Sequence, residues 1–282
     1  MSGLLHGAQM NYRHAFHAGN FADLLKHAML LAALDAWRAG GGTLEVLDTH
    51  AGAGLYDLGA AEAVRSGEAQ AGVTRLMAAD GLPPALARLA AAVRALNPGG
   101  DVTLYPGSPL LAVRAMRRGD RYTGCELRAD DHAALTAALR RRSPPGVIAE
   151  ARLDDGYAQA RGQAARARRL LVIDPPFERG DDYTRIVDAL TTRGDGPALV
   201  WLPLKDLDTF DRFLTDLEAR APGEALVVEA RLRSLDRPLR MNGCALILLG
   251  LGGLETTARE AAEWIVSNLG DSGGEARVWR LD

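Results

Sequence analysis

The stretch Arg169-Leu170-Leu171-Val172-Ile173-Asp174-Pro175-Pro176-Phe177 joins an unbroken apolar run to an acid, two prolines and an aromatic ring. A continuous apolar run of this kind predicts a strand covered on both faces. It delivers Asp174 to the strand end, where the two prolines fix φ and supply no backbone N–H. A carboxylate, outward carbonyls and a ring then make an acceptor-only environment with a stacking surface. Chemistry on an exocyclic base amine needs that combination, because the amine's lone pair is delocalised into its ring. Hydrogen-bond acceptance by Asp174 and the Pro175 carbonyl would draw the amine toward tetrahedral geometry and stabilise charge developing on it. Phe177 would stack on the base, an interaction worth roughly 1–3 kcal/mol.

Outward from this run, other short apolar stretches predict strands at 44–48, 122–126, 147–151, 198–202, 225–232 and 244–249. Helical patterns lie at 22–38, 110–118, 130–141, 183–190, 207–220 and 255–269. Such alternation predicts a doubly wound α/β sheet. The last two strands leave no room for a crossover helix, so they form an antiparallel hairpin with Asn242-Gly243 in its connection. That arrangement resembles the Rossmann-like fold of class I S-adenosylmethionine-dependent methyltransferases. One long stretch, 60–96, is rich in Ala, Leu and Arg and is broken by Pro83-Pro84. It reads as a small helical insertion at the ligand-binding edge of the sheet, dividing the chain into 1–59 with 100–282 and an inserted 60–99. Ser108-Pro109 then supplies a helix start, with Ser as N-cap.

The segment Leu44–Gly54 is a strand ending in the Gly-rich turn Gly52-Ala53-Gly54, where a backbone can approach a cofactor closely. Asp57 stands where a dinucleotide fingerprint needs its third glycine, and no helix starts on the loop, which argues against NAD. Glu126 ends the next strand, placed to accept hydrogen bonds from both ribose hydroxyls of an adenosine-bearing cofactor. Asp155-Gly156 follows the third strand, where a carboxylate can meet the adenine amine and a glycine leaves room for the ring.

Composition sets limits on partners and compartment. A formal charge of -3 over 282 residues gives no general attraction to polyanions, so a nucleic acid needs a local basic patch. Arginines cluster at 140–142, at Arg161, Arg166, Arg168 and Arg169, and at Arg231, Arg233, Arg237 and Arg240. The last cluster, in the hairpin connection, is the preferred phosphate contact. Cys125 and Cys244 have no metal-ligand spacing and read as small buried hydrophobes of a reducing compartment. With no apolar run near the roughly 18 residues of a membrane span and no signal-peptide pattern, a cytoplasmic protein is expected. His14, His17 and His27 lack the carboxylate or cysteine company of a metal site, so no metal is expected. The segment Asn11–His27 reads instead as an active-site lid, with Tyr12 and Phe16 against a base and Lys26 and His27 near a cofactor carboxylate.

Taken together, Tyr12-Arg13-His14, Phe16-His17-Ala18-Gly19-Asn20, Ala22-Asp23, Leu25-Lys26-His27, Leu47-Asp48-Thr49-His50-Ala51-Gly52-Ala53-Gly54, Tyr105-Pro106-Gly107-Ser108-Pro109-Leu110 and Asp174-Pro175-Pro176-Phe177 resemble the RlmJ family. These are bacterial 23S rRNA adenine N6-methyltransferases. The resemblance implies S-adenosylmethionine as methyl donor, with contacts from Lys26, His27, His50, Ser108, Glu126, Asp155, Gly156 and Asp174. It implies Asp174 as the catalytic acceptor, with Pro175 and Phe177 beside it, and Tyr12 and Phe177 against the 23S rRNA substrate. The family commonly has Tyr where this chain has Phe177, which keeps stacking and loses a hydroxyl. The competing readings are an rRNA guanine N2-methyltransferase, a DNA adenine methyltransferase, a protein-amine methyltransferase, and a catalytically silent RNA-binding assembly factor.

Overall fold

Why Arg169–Ile173 carries no polar alternation is plain from its position: it is a central strand of an eight-stranded sheet, buried along its whole length. The computed structural model describes residues 16–162, 169–221, 223–235 and 242–281. The chain runs α1 (Phe21–Ala39), β1 (Glu45–Asp48), β2 (Leu55–Asp57), α2 (Ala61–Ser66), a π-helical turn (Gln70–Thr74), α3 (Arg75–Ala78), α4 (Pro84–Arg94) and β3 (Leu104–Pro106). It continues through α5 (Ser108–Ala115), β4 (Arg121–Glu126), α6 (Ala129–Arg142), β5 (Ile148–Leu153), α7 (Gly156–Gly162), β6 (Arg169–Ile173) and α8 (Asp182–Thr191). The last elements are β7 (Ala198–Leu204), α9 (Leu207–Arg220), β8 (Ala225–Arg231), β9 (Gly243–Leu249), α10 (Glu255–Leu269) and β10 (Glu275–Leu281).

The strand order is β10-β8-β9-β7-β6-β1-β4-β5. From β5 to β7 neighbours are parallel, while β9 lies antiparallel between β7 and β8 as the expected hairpin. Successive residues of the inner strands feed two different cores. Val46, Leu170, Val172, Leu226 and Leu246 face the side of α1, α5 and α10, whereas Leu47, Leu171, Ile173, Val227 and Ile247 face α8 and α9. Both faces are therefore apolar, which erases alternation from the sequence.

The sheet extends one strand further than expected. β10 pairs antiparallel with β8 along Ala225–Arg231 and forms the true edge. Its sequence mixes Glu275, Arg277 and Arg280 with Val278 and Leu281, and half-exposed charges of this kind are what edge strands carry. The connection between β8 and β9 lies largely outside the described residues, but Gly243 itself already pairs with Arg231.

The 60–96 stretch folds as α2, the π-helical turn, α3 and α4, with β2 and β3 pairing antiparallel at its base. Leu76, Leu86, Leu89 and Val93 join the same core as α1, so these helices cover α1. Helix α1 is consequently buried from Phe21 to Leu31. A Cβ on Gly72 would lie 2.1 Å from the Gly19 carbonyl oxygen, and Val73 N donates to that oxygen at 2.8 Å. Only glycine permits this approach, which pins the π-helical turn to the residues just before α1.

Candidate active site

The sheet reverses its order at β1, between β4 and β6, the place where open α/β sheets bind ligands. Three acids share that edge: Asp48 closing β1, Glu126 closing β4 and Asp174 following β6. The turn after β1 is stitched in place from three sides. Thr49 N donates to the Val172 carbonyl at 3.0 Å, Ala51 N to Cys125 at 2.9 Å, and Gly107 N to Gly54 at 2.9 Å. Gly52 and Gly54 both take positive φ, 61° and 79°, a region that side chains rarely enter.

On the β1–β4–β5 side, Glu126 Oε2 accepts from Gly52 N at 3.1 Å and Oε1 from Arg128 N at 2.8 Å. Burial raises its pKa, partly countered by those backbone donors. Asp48 is 1% exposed. Its Oδ2 accepts from Ser108 Oγ at 2.7 Å and Tyr122 OH at 3.0 Å, while its buried Oδ1 has no hydrogen-bond partner among the described residues. Burial raises the Asp48 pKa against the pull of the Ser108 and Tyr122 hydroxyls. An orphaned carboxylate oxygen beside a glycine turn suits a ligand that brings its own N–H donor, so the residues fit the ammonium and adenosine of S-adenosylmethionine. Asp48 lay within the glycine-turn segment, but nothing in the sequence showed one of its oxygens left bare.

Several expected site residues are differently engaged. Ser108 is the first residue of α5 and makes no cap; its hydroxyl goes to Asp48. Asp155 caps α7 by accepting from Tyr157 N at 2.9 Å and pairs with Arg185. Burial pushes its pKa up, but the Arg185 charge and hydrogen bond outweigh this and hold it below the usual range. Gly156 has a packing reason: a Cβ there would sit 2.0 Å from the Thr49 carbonyl oxygen. His50 accepts or donates to Thr49 Oγ1 at 2.8 Å and meets the Tyr157 ring edge-on at 4.8 Å. Burial lowers its pKa to about 4 despite Asp174 and Asp155 nearby, so the ring is neutral near pH 7.

On the β6–β7 side a cleft of about 920 Å³ holds Asp174, Pro175, Pro176 and Phe177 on one wall. Asp174 is not in the acceptor-only environment that its neighbours predict. Lys26 Nζ donates to Asp174 Oδ2 at 2.5 Å and to Asp23 Oδ1 at 2.8 Å. Burial pushes the Lys26 ammonium down, but the Asp174 and Asp23 carboxylates outweigh it and hold the pKa well above the lysine value. His27 lies behind this group, 1% exposed, with Nδ1 2.8 Å from Tyr105 OH, and does not line the cleft. Phe177 takes φ 52°, the one positive value among described non-glycine residues. Its ring packs on Tyr183 and Trp201, with centroids 5.1 and 5.8 Å away. Glu68, just after α2, closes the opposite wall, accepting from Asn20 Nδ2 at 2.9 Å and meeting His17 Nδ1 at 2.8 Å.

Arg233 also lines the cleft and pairs with Asp271 at 3.1 Å, and Lys205 joins it from the end of β7. Arg231 pairs with Glu229 and Glu275. Tyr12, Arg13, His14, Arg166, Arg168, Arg237 and Arg240 lie outside the described residues. Among the described residues no three His, Cys, Asp or Glu side chains group as a metal site, and no helix is long and apolar enough to cross a membrane. Both cysteines are buried, each pushed up to about 12 by burial.

A parallel sheet closed by an antiparallel hairpin, with a glycine turn and strand-end acids at its reversal point, is the arrangement of the class I methyltransferase fold. The family described as "Ribosomal RNA large subunit methyltransferase D, RlmJ" matches residues 42–281. Ribosomal RNA large subunit methyltransferase J of Escherichia coli (strain K12) is 32% identical over 277 residues, covering 95% of this chain and 98% of that protein. The protein of the same description from Haemophilus influenzae is 30% identical over 268 residues, covering 92% and 94%. A Legionella pneumophila crystal structure superposes with TM-score 0.84 at 24% identity over 93% of this chain and 98% of that one, which shows the shared fold. The chain belongs to the RlmJ family of ribosomal RNA large subunit methyltransferases.

Proposed function

We propose that the chain transfers a methyl group from S-adenosylmethionine to the exocyclic N6 amine of an adenine in 23S rRNA, with Asp174 as the acceptor at that amine. The observation that carries this is the Asp174 carboxylate on the cleft wall, held through Oδ2 by Lys26 and followed by two prolines and a ring. Asp174 Oδ1 and the Pro175 carbonyl would accept the two amine hydrogens. Drawing them aside localises the nitrogen lone pair and stabilises the positive charge that grows there. Phe177, with Tyr12 ahead of α1, would contact the base.

S-adenosylmethionine, when bound, supplies an electrophilic methyl group. Glu126 would hold the ribose hydroxyls, Asp155 the adenine amine, and Asp48 Oδ1 the ammonium, with His50, Ser108 and Gly156 shaping the berth. Lys26 and His27 fit better as supports of Asp174 than as cofactor contacts, because Lys26 already bridges two carboxylates and His27 is buried beneath it.

The test is transfer to deproteinised 23S rRNA by wild type and Asp174→Ala, with cofactor affinity measured by calorimetry. Asp174→Ala should bind S-adenosylmethionine nearly as wild type and transfer nothing. Turnover within a few-fold of wild type would refute the role of Asp174. Loss of N2-methylguanosine with N6-methyladenosine intact, in rRNA from a deletion strain, would assign the guanine reading instead.

A further inference from the structure

We propose that Asp23 is a positioning residue for methyl transfer, holding the Lys26 ammonium on one oxygen of Asp174 so that the other faces the amine. The inference rests on the reading of Asp174 given above. Asp23 lies in the first turn of α1, 3% exposed, and each of its oxygens is engaged. Oδ2 accepts from Gly19 N at 2.9 Å and Oδ1 from Lys26 Nζ at 2.8 Å. Asn20 Oδ1 in turn accepts from Asp23 N at 2.9 Å, which locks the helix turn that carries the carboxylate. Lysine is a compact charge on a flexible stem. Two carboxylates in contact with its ammonium at once hold Lys26 in place, and its side chain is only 5% exposed there.

The charge balance gives Asp23 a second effect. Lys26 and Asp174 alone sum to zero, so a cationic centre forming at the amine would feel little net attraction. Asp23 brings the trio to one negative charge, close to where positive charge develops. Tyr105 on β3 and Cys244 on β9 are both pushed up by burial and stay neutral. Burial also raises the Asp48 carboxyl on β1, and His27 Nε2 lies 3.9 Å from Asp23 Oδ1. Asp23 is thus the charge that offsets Lys26, only 3% exposed at the wall of the same cleft and with both oxygens already engaged.

Asp23→Asn keeps the size and can still accept from Gly19 N, but loses the charge. We expect affinity for S-adenosylmethionine and for rRNA to stay within about two-fold. We expect kcat to fall by about ten- to hundred-fold, less than the roughly 10²–10³ seen on losing a direct donor. In a Lys26→Met background the same substitution should cost at least several-fold less, because the ammonium it positions is gone and only the loss of its own charge remains. Turnover by Asp23→Asn within about two-fold of wild type overturns the proposal. So does an equal loss in both backgrounds, the result of a merely structural role. Should Lys26→Met fail to fold, Asp23→Glu replaces it: recovery of kcat over Asp23→Asn supports the charge role, and equal losses overturn it. Asp174→Ala runs alongside as the control. Turnover there sinks the reading of Asp174 itself, whatever Asp23→Asn does.

Discussion

Replacing Phe177 by glycine is expected to leave a more stable protein than replacing it by alanine, although glycine is ordinarily the poorer choice. Both substitutions remove the ring from Tyr183 and Trp201, so that loss cancels in the comparison. What differs is the backbone. At φ 52° a residue with a Cβ sits in the left-handed region, at a cost of about 1–2 kcal/mol that glycine escapes. Glycine's looser unfolded chain takes back about 0.4–1 kcal/mol. The difference is about 0.8 kcal/mol in favour of glycine, measurable by urea unfolding of the two variants side by side. Methyl transfer should not follow stability. Both variants lose the stacking surface, so rRNA affinity should drop by roughly 5- to 150-fold, the equivalent of about 1–3 kcal/mol. Phe177→Tyr should keep both properties. An alanine variant as stable as the glycine one would refute the strain argument, and unchanged rRNA affinity in both would refute the stacking role.

Other substitutions probe the cofactor side. Gly156→Ala drives a Cβ to 2.0 Å from the Thr49 carbonyl oxygen, backbone against backbone, so denaturant unfolding should show a loss at or above about 3 kcal/mol. A loss below about 1 kcal/mol would mean that the α7 start yields easily. Glu126→Ala should weaken S-adenosylmethionine binding by roughly 10- to 150-fold, as expected for a charged hydrogen-bond acceptor. An unchanged dissociation constant would remove Glu126 from the ribose. His50, at about 4 in the fold, is held neutral where the unfolded chain titrates near its ordinary 6.5. The unfolded chain therefore binds the extra proton first, and stability should fall as pH drops from about 6.5 toward 4. Above that window the contribution is complete. His50→Gln should flatten this part of the stability–pH curve, and an unaltered slope would show that His50 is not its source.

Much of the architecture was legible because its cause is local. Apolar runs such as Arg169–Ile173 are continuous since both sheet faces are covered, and α9 and α10 start and stop where the helical pattern does. β10 was not legible: a half-exposed edge strand carries too many charges to stand out from a surface segment. α7 was missed as well, being only seven residues long. The positions of Asp48, Glu126 and Asp174 at strand ends followed from counting along each run. Their partners did not, because Lys26 and Asp174 are 148 residues apart and nothing along the chain records that their atoms meet.

By itself the sequence determined the parallel sheet with its hairpin, the glycine turn, and the acid-Pro-Pro-Phe strand end of a base-amine methyltransferase. These depend on periodicity and on residue chemistry within a few positions. The tertiary structure alone decided how the charges are shared. It left one buried oxygen of Asp48 without a partner among the described residues, tied Asp155 to Arg185, and set Lys26 as the bridge between Asp23 and Asp174. A buried charge takes whichever opposite charge the fold brings within reach, and that choice is made by packing.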